Sequence, residues 1–261
     1  MSATAATTQF SAVWKKSNMG YAAFAEFYDL LTENINYNEI GEYYDRLNKK
    51  FGGTKGILLD LACGTGSLSV IFSKMGYDVI GTDISEEMLS IAVRKEHEGI
   101  EYLCQSMTEL DMFGTIDCAV CSLDSINHLE SLDDVRKTFE RVSLFSNKDA
   151  LFMFDVNTPY KHEHILADNT FVYDMENVYC VWQNEYVGDG RTEIYLDFFA
   201  EDESGLYERY TDDFAETAYS LDVIRDLLER AGFKLCACYE YLTEKEPSET
   251  SEKVTFVAQK I

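Results

Sequence analysis

No stretch of the 261-residue chain approaches the roughly 20 consecutive apolar residues of a membrane-spanning helix. No block of Lys or Arg exists either. Against 47 acidic residues stand 22 basic ones, a formal net charge of −25. A nucleic-acid partner needs a basic face, so this balance argues against RNA, DNA and anionic membrane surfaces. What such charge explains is solubility and attraction for cationic partners. The opening residues, MSATAATTQFSAVWKKSN, lack an apolar core behind a basic stretch and do not read as a secretory leader. There is no internal repeat. With 46% hydrophobic and 13% aromatic residues, disorder, collagen-like sequence and low complexity are excluded. The seven cysteines, Cys63, Cys104, Cys118, Cys121, Cys180, Cys236 and Cys238, are odd in number, and several lie inside apolar runs. They read as small buried hydrophobes in a reducing cytoplasm, not as a disulfide framework. Cys118 and Cys121, three apart in one strand, point to opposite faces and do not suit a metal.

What the chain does contain is a strict alternation of strand and helix patterns. Residues 1–19 read as a frayed tail. Tyr21, Phe24, Phe27, Tyr28 and Leu31 recur at helical spacing, and a second helix is expected over 38–50. Strands are expected at 56–62, 78–81, 100–105, 116–122 and 150–156. Helices are expected at 67–75, 86–98 and 131–145, with Ser85 and Ser131 as N-caps. Asn147 stands where a helix end often needs left-handed backbone. Near-continuous apolar strands alternating with helices imply a parallel sheet covered on both faces.

Over 160–217 the rhythm changes. Four strand patterns, at 170–175, 178–187, 192–200 and 206–217, are separated by turn signals and imply an antiparallel meander inserted into the α/β unit. A helix at 220–231 and strands at 233–242 and 253–261 close the chain. Joined by a loop and not a helix, those two strands should be antiparallel neighbours. His162 and His164 would share a face if extended, but no third ligand lies nearby in sequence, so no metal is expected.

The informative stretch is 58–66, LLDLACGTG, where an apolar strand runs into Gly64, Thr65 and Gly66 and a helix starts at once. Such glycines allow a tight turn and close approach of a ligand to the main chain, at the carboxyl edge where open α/β sheets bind ligands. A dinucleotide fingerprint would need a third glycine where Ser69 stands. Asp60, four positions before Gly64, would repel a pyrophosphate but suits a cationic group. Asp83 ends the next strand, 19 residues after Gly64, where an acid can take both hydroxyls of a ribose. The pocket therefore wants a ribose-bearing, phosphate-free, cationic ligand.

LLDLACGTG followed by VIGTDISEEML resembles the first two motifs of class I S-adenosylmethionine (SAM) dependent methyltransferases, and the resemblance extends over roughly 20–261. It implies a Rossmann-like, seven-stranded, mostly parallel sheet with an antiparallel last strand. The methyltransferase domain would comprise 20–159 and 218–261, with cap helices at 20–50, and the small antiparallel insertion at 160–217 would form a substrate lid or, equally, a dimer surface. It also implies that the amino and carboxylate groups of SAM lie near Asp60, Ala62 and Gly64, with Gly66 completing the cofactor loop. Asp83 would hold the ribose beside Ile84, and Met88 would pack near the adenine. Many relatives carry an acid after the third strand; here Ser106 stands in its place, so adenine recognition would rest on the backbone of Ser106 and Met107. Leu123, Asp124 and Asn127 fall at the rim between cofactor and acceptor. Tyr21 and Tyr28 resemble aromatics of a cap helix that closes over the sulfonium. Methyl transfer to a small-molecule acceptor is the expected activity, in a monomer or homodimer. His128, His162, Asp124 and Tyr28 are the candidates for a proton acceptor. An NAD(P)-dependent oxidoreductase and a non-catalytic SAM-binding module remain as alternatives.

Overall fold

The computed structural model describes residues 22–95, 97, 99–175 and 177–261. The expected tail at 1–19 and Tyr21 lie outside the described residues. Two helices, α1 (Ala22–Leu31) and α2 (Tyr37–Lys50), precede the alternating unit β1 (Ile57–Leu61), α3 (Ser67–Lys74), β2 (Asp78–Asp83), α4 (Glu86–Arg94), β3 (Ile100–Cys104), β4 (Ile116–Cys121), α5 (Leu132–Phe145) and β5 (Ser146–Asn157). The insertion supplies β6 (Thr170–Met175), β7 (Val178–Gly188), β8 (Arg191–Glu201) and β9 (Tyr207–Thr217). The chain closes with α6 (Leu221–Arg230), β10 (Phe233–Glu240) and β11 (Lys253–Lys260).

The main sheet has seven strands in the order β10-β11-β5-β4-β1-β2-β3, and the insertion is a separate four-stranded meander, β6-β7-β8-β9. β1 pairs parallel with both β2 and β4, while β11 runs antiparallel to both β5 and β10. The sequence direction thus reverses on either side of β1, which opens a crevice at its carboxyl end.

Alternating residues of each strand feed opposite cores. Leu59, Ala119, Phe152, Phe154 and Phe256 pack with Phe139 of α5 and Leu228 of α6. Leu58, Cys118, Val120, Met153 and Val257 pack with Tyr44 and Leu47 of α2 and Phe72 of α3. Cys118 and Cys121 accordingly face opposite sides of the sheet. A third cluster joins Phe24 and Phe27 of α1 to Cys180, Ile194, Leu196 and Phe198 of the insertion. The insertion therefore rests on α1, with Phe27 and Phe198 stacked at 5.0 Å.

Three local expectations are corrected. Asn147 is not the left-handed residue after α5. Ser146 is already extended and paired with Ile116, so the helix passes straight into β5, Asn147 donates to Asp117 Oδ1 at 2.8 Å, and the positive φ falls on Asp149. Helix α4 stops at Arg94, short of the expected 98, where the Lys95 N–H closes the last turn on Ala92 and Val93. His162 and His164 do not sit side by side on an extended segment. They lie in a π-helical turn, Lys161–Leu166, which buries His162 and leaves the His164 ring stacked on Tyr160.

Candidate cofactor and acceptor site

The carboxyl end of β1 is shaped by left-handed backbone at Ala62, Gly64 and Gly66 (φ 59°, 54° and 74°). These turns reverse the chain at once into α3. At Gly66 the requirement is also steric: a Cβ would collide with the Tyr102 hydroxyl and stand 2.9 Å from the Ala92 Cβ. Gly66→Ala is expected to lower stability by about 1–3 kcal/mol, from strained φ and a displaced Tyr102. Urea unfolding measures it; a change within ±0.5 kcal/mol would show that the loop accommodates the methyl.

Asp60 is 2% exposed and accepts from Ser69 Oγ at 2.5 Å. Ser69, where a dinucleotide loop wants glycine, is thus the fixed partner of this carboxylate. Burial, reinforced by the charge of Asp83, pushes the Asp60 carboxyl up to about 6. Asp83 is tied by both oxygens: Oδ2 accepts from Gly64 N at 2.8 Å and Oδ1 from Ser85 N at 2.9 Å. Burial raises its carboxyl above the ordinary aspartate value as well.

Two cavities share this loop. The smaller, about 30 Å³, is lined by Tyr28, Tyr37, Asp60, Ala62, Gly64 and Leu123, among others. The larger, about 280 Å³, is lined by Phe24, Tyr28, Asp83, Ile84, Met88, Ser106, Met107, Leu123 and His128, among others. Among the described residues, neither lining includes a Lys or Arg, and each includes one aspartate. Such a donor set suits a cation and repels a diphosphate. Gly66 lines neither cavity; its part is to admit Tyr102. The Ser106 hydroxyl caps the short turn Met107–Glu109 by accepting from Thr108 N at 3.3 Å. Helix α1 is fastened over the loop by Asp29, which accepts from Thr65 Oγ1 at 2.5 Å and pairs with Lys95 Nζ at 2.8 Å.

The turn after β4 carries two consecutive left-handed residues without glycine, Leu123 and Asp124 (φ 57° and 55°). Such backbone costs about 1–3 kcal/mol per residue and needs outside support. Asp155 of β5, fully buried, supplies it. Its Oδ2 accepts from Leu123 N at 2.9 Å, Tyr44 Oη at 2.8 Å and Ser122 Oγ at 3.0 Å, and its Oδ1 from Asp124 N at 2.8 Å. Asp155 was not among the sequence candidates, nor was Tyr37. The available signal for Asp155 was an acid inside the apolar run ALFMFDV.

The other candidates separate by position. Asp124 is engaged by Lys253 Nζ at 3.1 Å and by Asn157 Nδ2. Although burial opposes it, the charges of Lys253 and Lys161 hold its carboxyl well below the usual range, so it is a poor proton acceptor. Asn127 is structural in its bonds, donating to the carbonyls of Asn157 and Thr217 at 3.1 Å each. His162 lies behind the cavity, not in its lining; Nδ1 is 2.9 Å from Thr192 Oγ1, and burial, then Lys161, lowers its imidazole to about 4. Burial, then Tyr37, raises the Tyr28 phenol well above its ordinary value. Of the four candidates only His128 and Tyr28 line the larger cavity.

Known proteins resemble this chain in sequence and in fold. Residues 58–144 match the family model of a methyltransferase domain. A putative methyltransferase of Geobacillus sp. (strain WCH70) is 37% identical over 93% of this chain and 100% of its own length. The crystal structure of a SAM-dependent methyltransferase from Clostridium acetobutylicum superposes with a TM-score of 0.83 at 28% identity, covering 92% of this chain and 98% of that one. SAM-bound CalS10, an amino pentose methyltransferase from Micromonospora echinaspora, shares the fold at a TM-score of 0.72 and 18% identity, over 95% of this chain and all of its own. Among the described residues, no helix is long and apolar enough to cross a membrane. Two aspartates, a glycine turn and a cation-suited crevice on a seven-stranded sheet thus meet a full-length relative, and the chain belongs to the class I S-adenosylmethionine-dependent methyltransferases.

Proposed function

We propose that the chain transfers a methyl group to a small-molecule acceptor held in the larger cavity, with the insertion sheet and α1 closing over it. The observation that carries this reading is the pairing of Asp60 and Asp83 with cavities whose lining, among the described residues, has no Lys or Arg. SAM supplies an already activated methyl, so the protein contributes positioning, electrostatics and exclusion of water. In this reading Asp60 faces the ammonium end of the cofactor, Asp83 the ribose, and Met88, Ser106 and Met107 the adenine. Tyr28 lines both cavities and so stands where the sulfonium would pass between them. The acceptor would meet Phe24, His128 and Leu129 on the remaining wall. A cavity of about 280 Å³ and the amino pentose acceptor named for CalS10 both support a small molecule over a macromolecule.

Titration calorimetry with SAM, S-adenosylhomocysteine and NADH tests the cofactor assignment directly. Tight NADH binding without SAM binding would reverse it. Asp83→Ala should weaken SAM binding by about 1–3 kcal/mol, because it removes an acceptor and leaves Gly64 N and Ser85 N without their partner. Unchanged affinity would take Asp83 out of the site.

A further inference from the structure

One face of β9 packs against His128, a lining residue of the larger cavity. Phe214 lies 5.1 Å from the His128 ring, 5.8 Å from Phe24 and 6.0 Å, edge-on, from Trp182. Two residues on, and therefore on the same face, stands Glu216. It is 5% exposed. Its Oε2 accepts from Asn157 Nδ2 at 3.2 Å and lies 3.6 Å from His162 Nε2, a fully buried atom with no hydrogen-bond partner of its own. Its Oε1 is directed toward His128, 3.9 Å from Nε2.

The charges around it do not balance. Two carboxylates, Asp155 and Glu216, are buried here, and the half-buried Asp124 joins them beside Lys161 and Lys253. Lys253 lies 3.1 Å from Asp124 and 3.4 Å from Asp155, and Lys161 donates to Asn157 Oδ1 at 2.9 Å. No lysine forms an ion pair with Glu216 among the described residues. A buried carboxylate that Lys161 supports only at a distance is costly, and a ligand that brings a cation into contact offsets that cost.

We propose that Glu216, which backs the cavity-lining His128, selects an acceptor bearing an amine, which enters as an ammonium ion beside His128, within the field of the carboxylate and flanked by Phe214. The inference rests on the methyl-transfer reading and adds the class of acceptor. In the reaction the ammonium gives one N–H proton to the Glu216–His128 pair. The freed nitrogen lone pair then forms the N–C bond to the methyl, and the electrons of the broken C–S bond stay on sulfur. The product leaves as a protonated methylamine, and the proton on the pair passes to solvent through the partly exposed His128.

The full chain saturated with S-adenosylhomocysteine is titrated calorimetrically with benzylammonium chloride and with benzyl alcohol at pH 7.5. The ammonium is expected to bind about ten- to a hundredfold more tightly, the range of a hydrogen bond to a charged group. Glu216→Gln keeps the shape and an acceptor for Asn157, so it should abolish this preference while retaining S-adenosylhomocysteine affinity. A role confined to packing would not move the ratio. Equal binding of the two probes, no binding of the ammonium, or a preference that survives in Glu216→Gln overturns the proposal. If the variant does not fold, the wild-type ratio alone decides. Absence of S-adenosylhomocysteine binding in the first titration overturns the cofactor reading and this one with it, and is thereby distinguished from failure of the ammonium alone.

Discussion

Asp155→Ala will lower the unfolding free energy by about 3–5 kcal/mol, the range for breaking a buried charge pair from one side. The change removes the acceptor of Tyr44 Oη, Ser122 Oγ, Leu123 N and Asp124 N together, and leaves Lys253 with one carboxylate in place of two. It also releases the left-handed turn at Leu123 and Asp124, so the cost is not confined to Asp155 itself. Because Leu123 lines both cavities, cofactor affinity should fall in the fraction that still folds. Urea unfolding at pH 7.5 reads the first effect and S-adenosylhomocysteine calorimetry the second. Asp155→Asn, which keeps one carbonyl acceptor, should lose less. A loss below about 1 kcal/mol for the alanine variant, the worth of a single ordinary hydrogen bond, would mean that the turn holds without this carboxylate.

Asp60→Asn will do the opposite to stability and will damage binding. The Asp60 carboxyl titrates near 6 in the folded cofactor-free protein, against about 3.9 for an unfolded aspartate. A folded value above the unfolded one means that the native state binds more protons in between. The contribution of Asp60 to stability is therefore fully present below about pH 4 and is lost as pH rises through 6. At pH 7.5 the wild type bears a buried anion that asparagine replaces with a neutral group, still able to accept from Ser69. The variant should then be more stable by on the order of 1–3 kcal/mol without cofactor. The difference between the two proteins should shrink as the pH is lowered from 6 to 4. Its SAM affinity should fall about ten- to a hundredfold, since the charge that faces the ammonium end in the proposed reading is gone. Thermal unfolding across that pH window, paired with calorimetry, checks both halves. A variant less stable than wild type at pH 7.5 would show that the Asp60 anion is not held at a cost.

The parts of this architecture that could be read in the chain are those set by local pattern. The parallel sheet follows from apolar runs such as ILLDL and ALFMF, whose neighbouring residues feed opposite cores. The four strands of the insertion follow from turn signals such as Gly188, Asp189 and Gly190, and their observed order is the meander those turns imply. The crevice at the end of β1 was legible as a candidate site because glycine loop and acid lie within 19 residues of one another. What could not be read was set by distant partners. Asp155 meets Tyr44 across 111 positions, and Glu216 meets Asn157 across 59. Nothing local distinguishes such acids from solvated ones until the fold brings their donors to them. The Asn147 expectation failed for a related reason: pairing with β4 holds Ser146 extended, and that outweighs the local preference for a left-handed helix end.

Helix α1 answers to two sites at once. On one side Phe24 and Phe27 enter the insertion's core; on the other Asp29 is bolted to Thr65 and Lys95 at the glycine turn, and Tyr28 faces both cavities. Any acceptor that steadies this ten-residue helix must raise the affinity for the cofactor by the same factor that the cofactor raises its own, because coupling free energies are symmetric. Loss of that steadying when one product departs would in turn loosen the grip on the other, so the two exits would be linked through a single short helix.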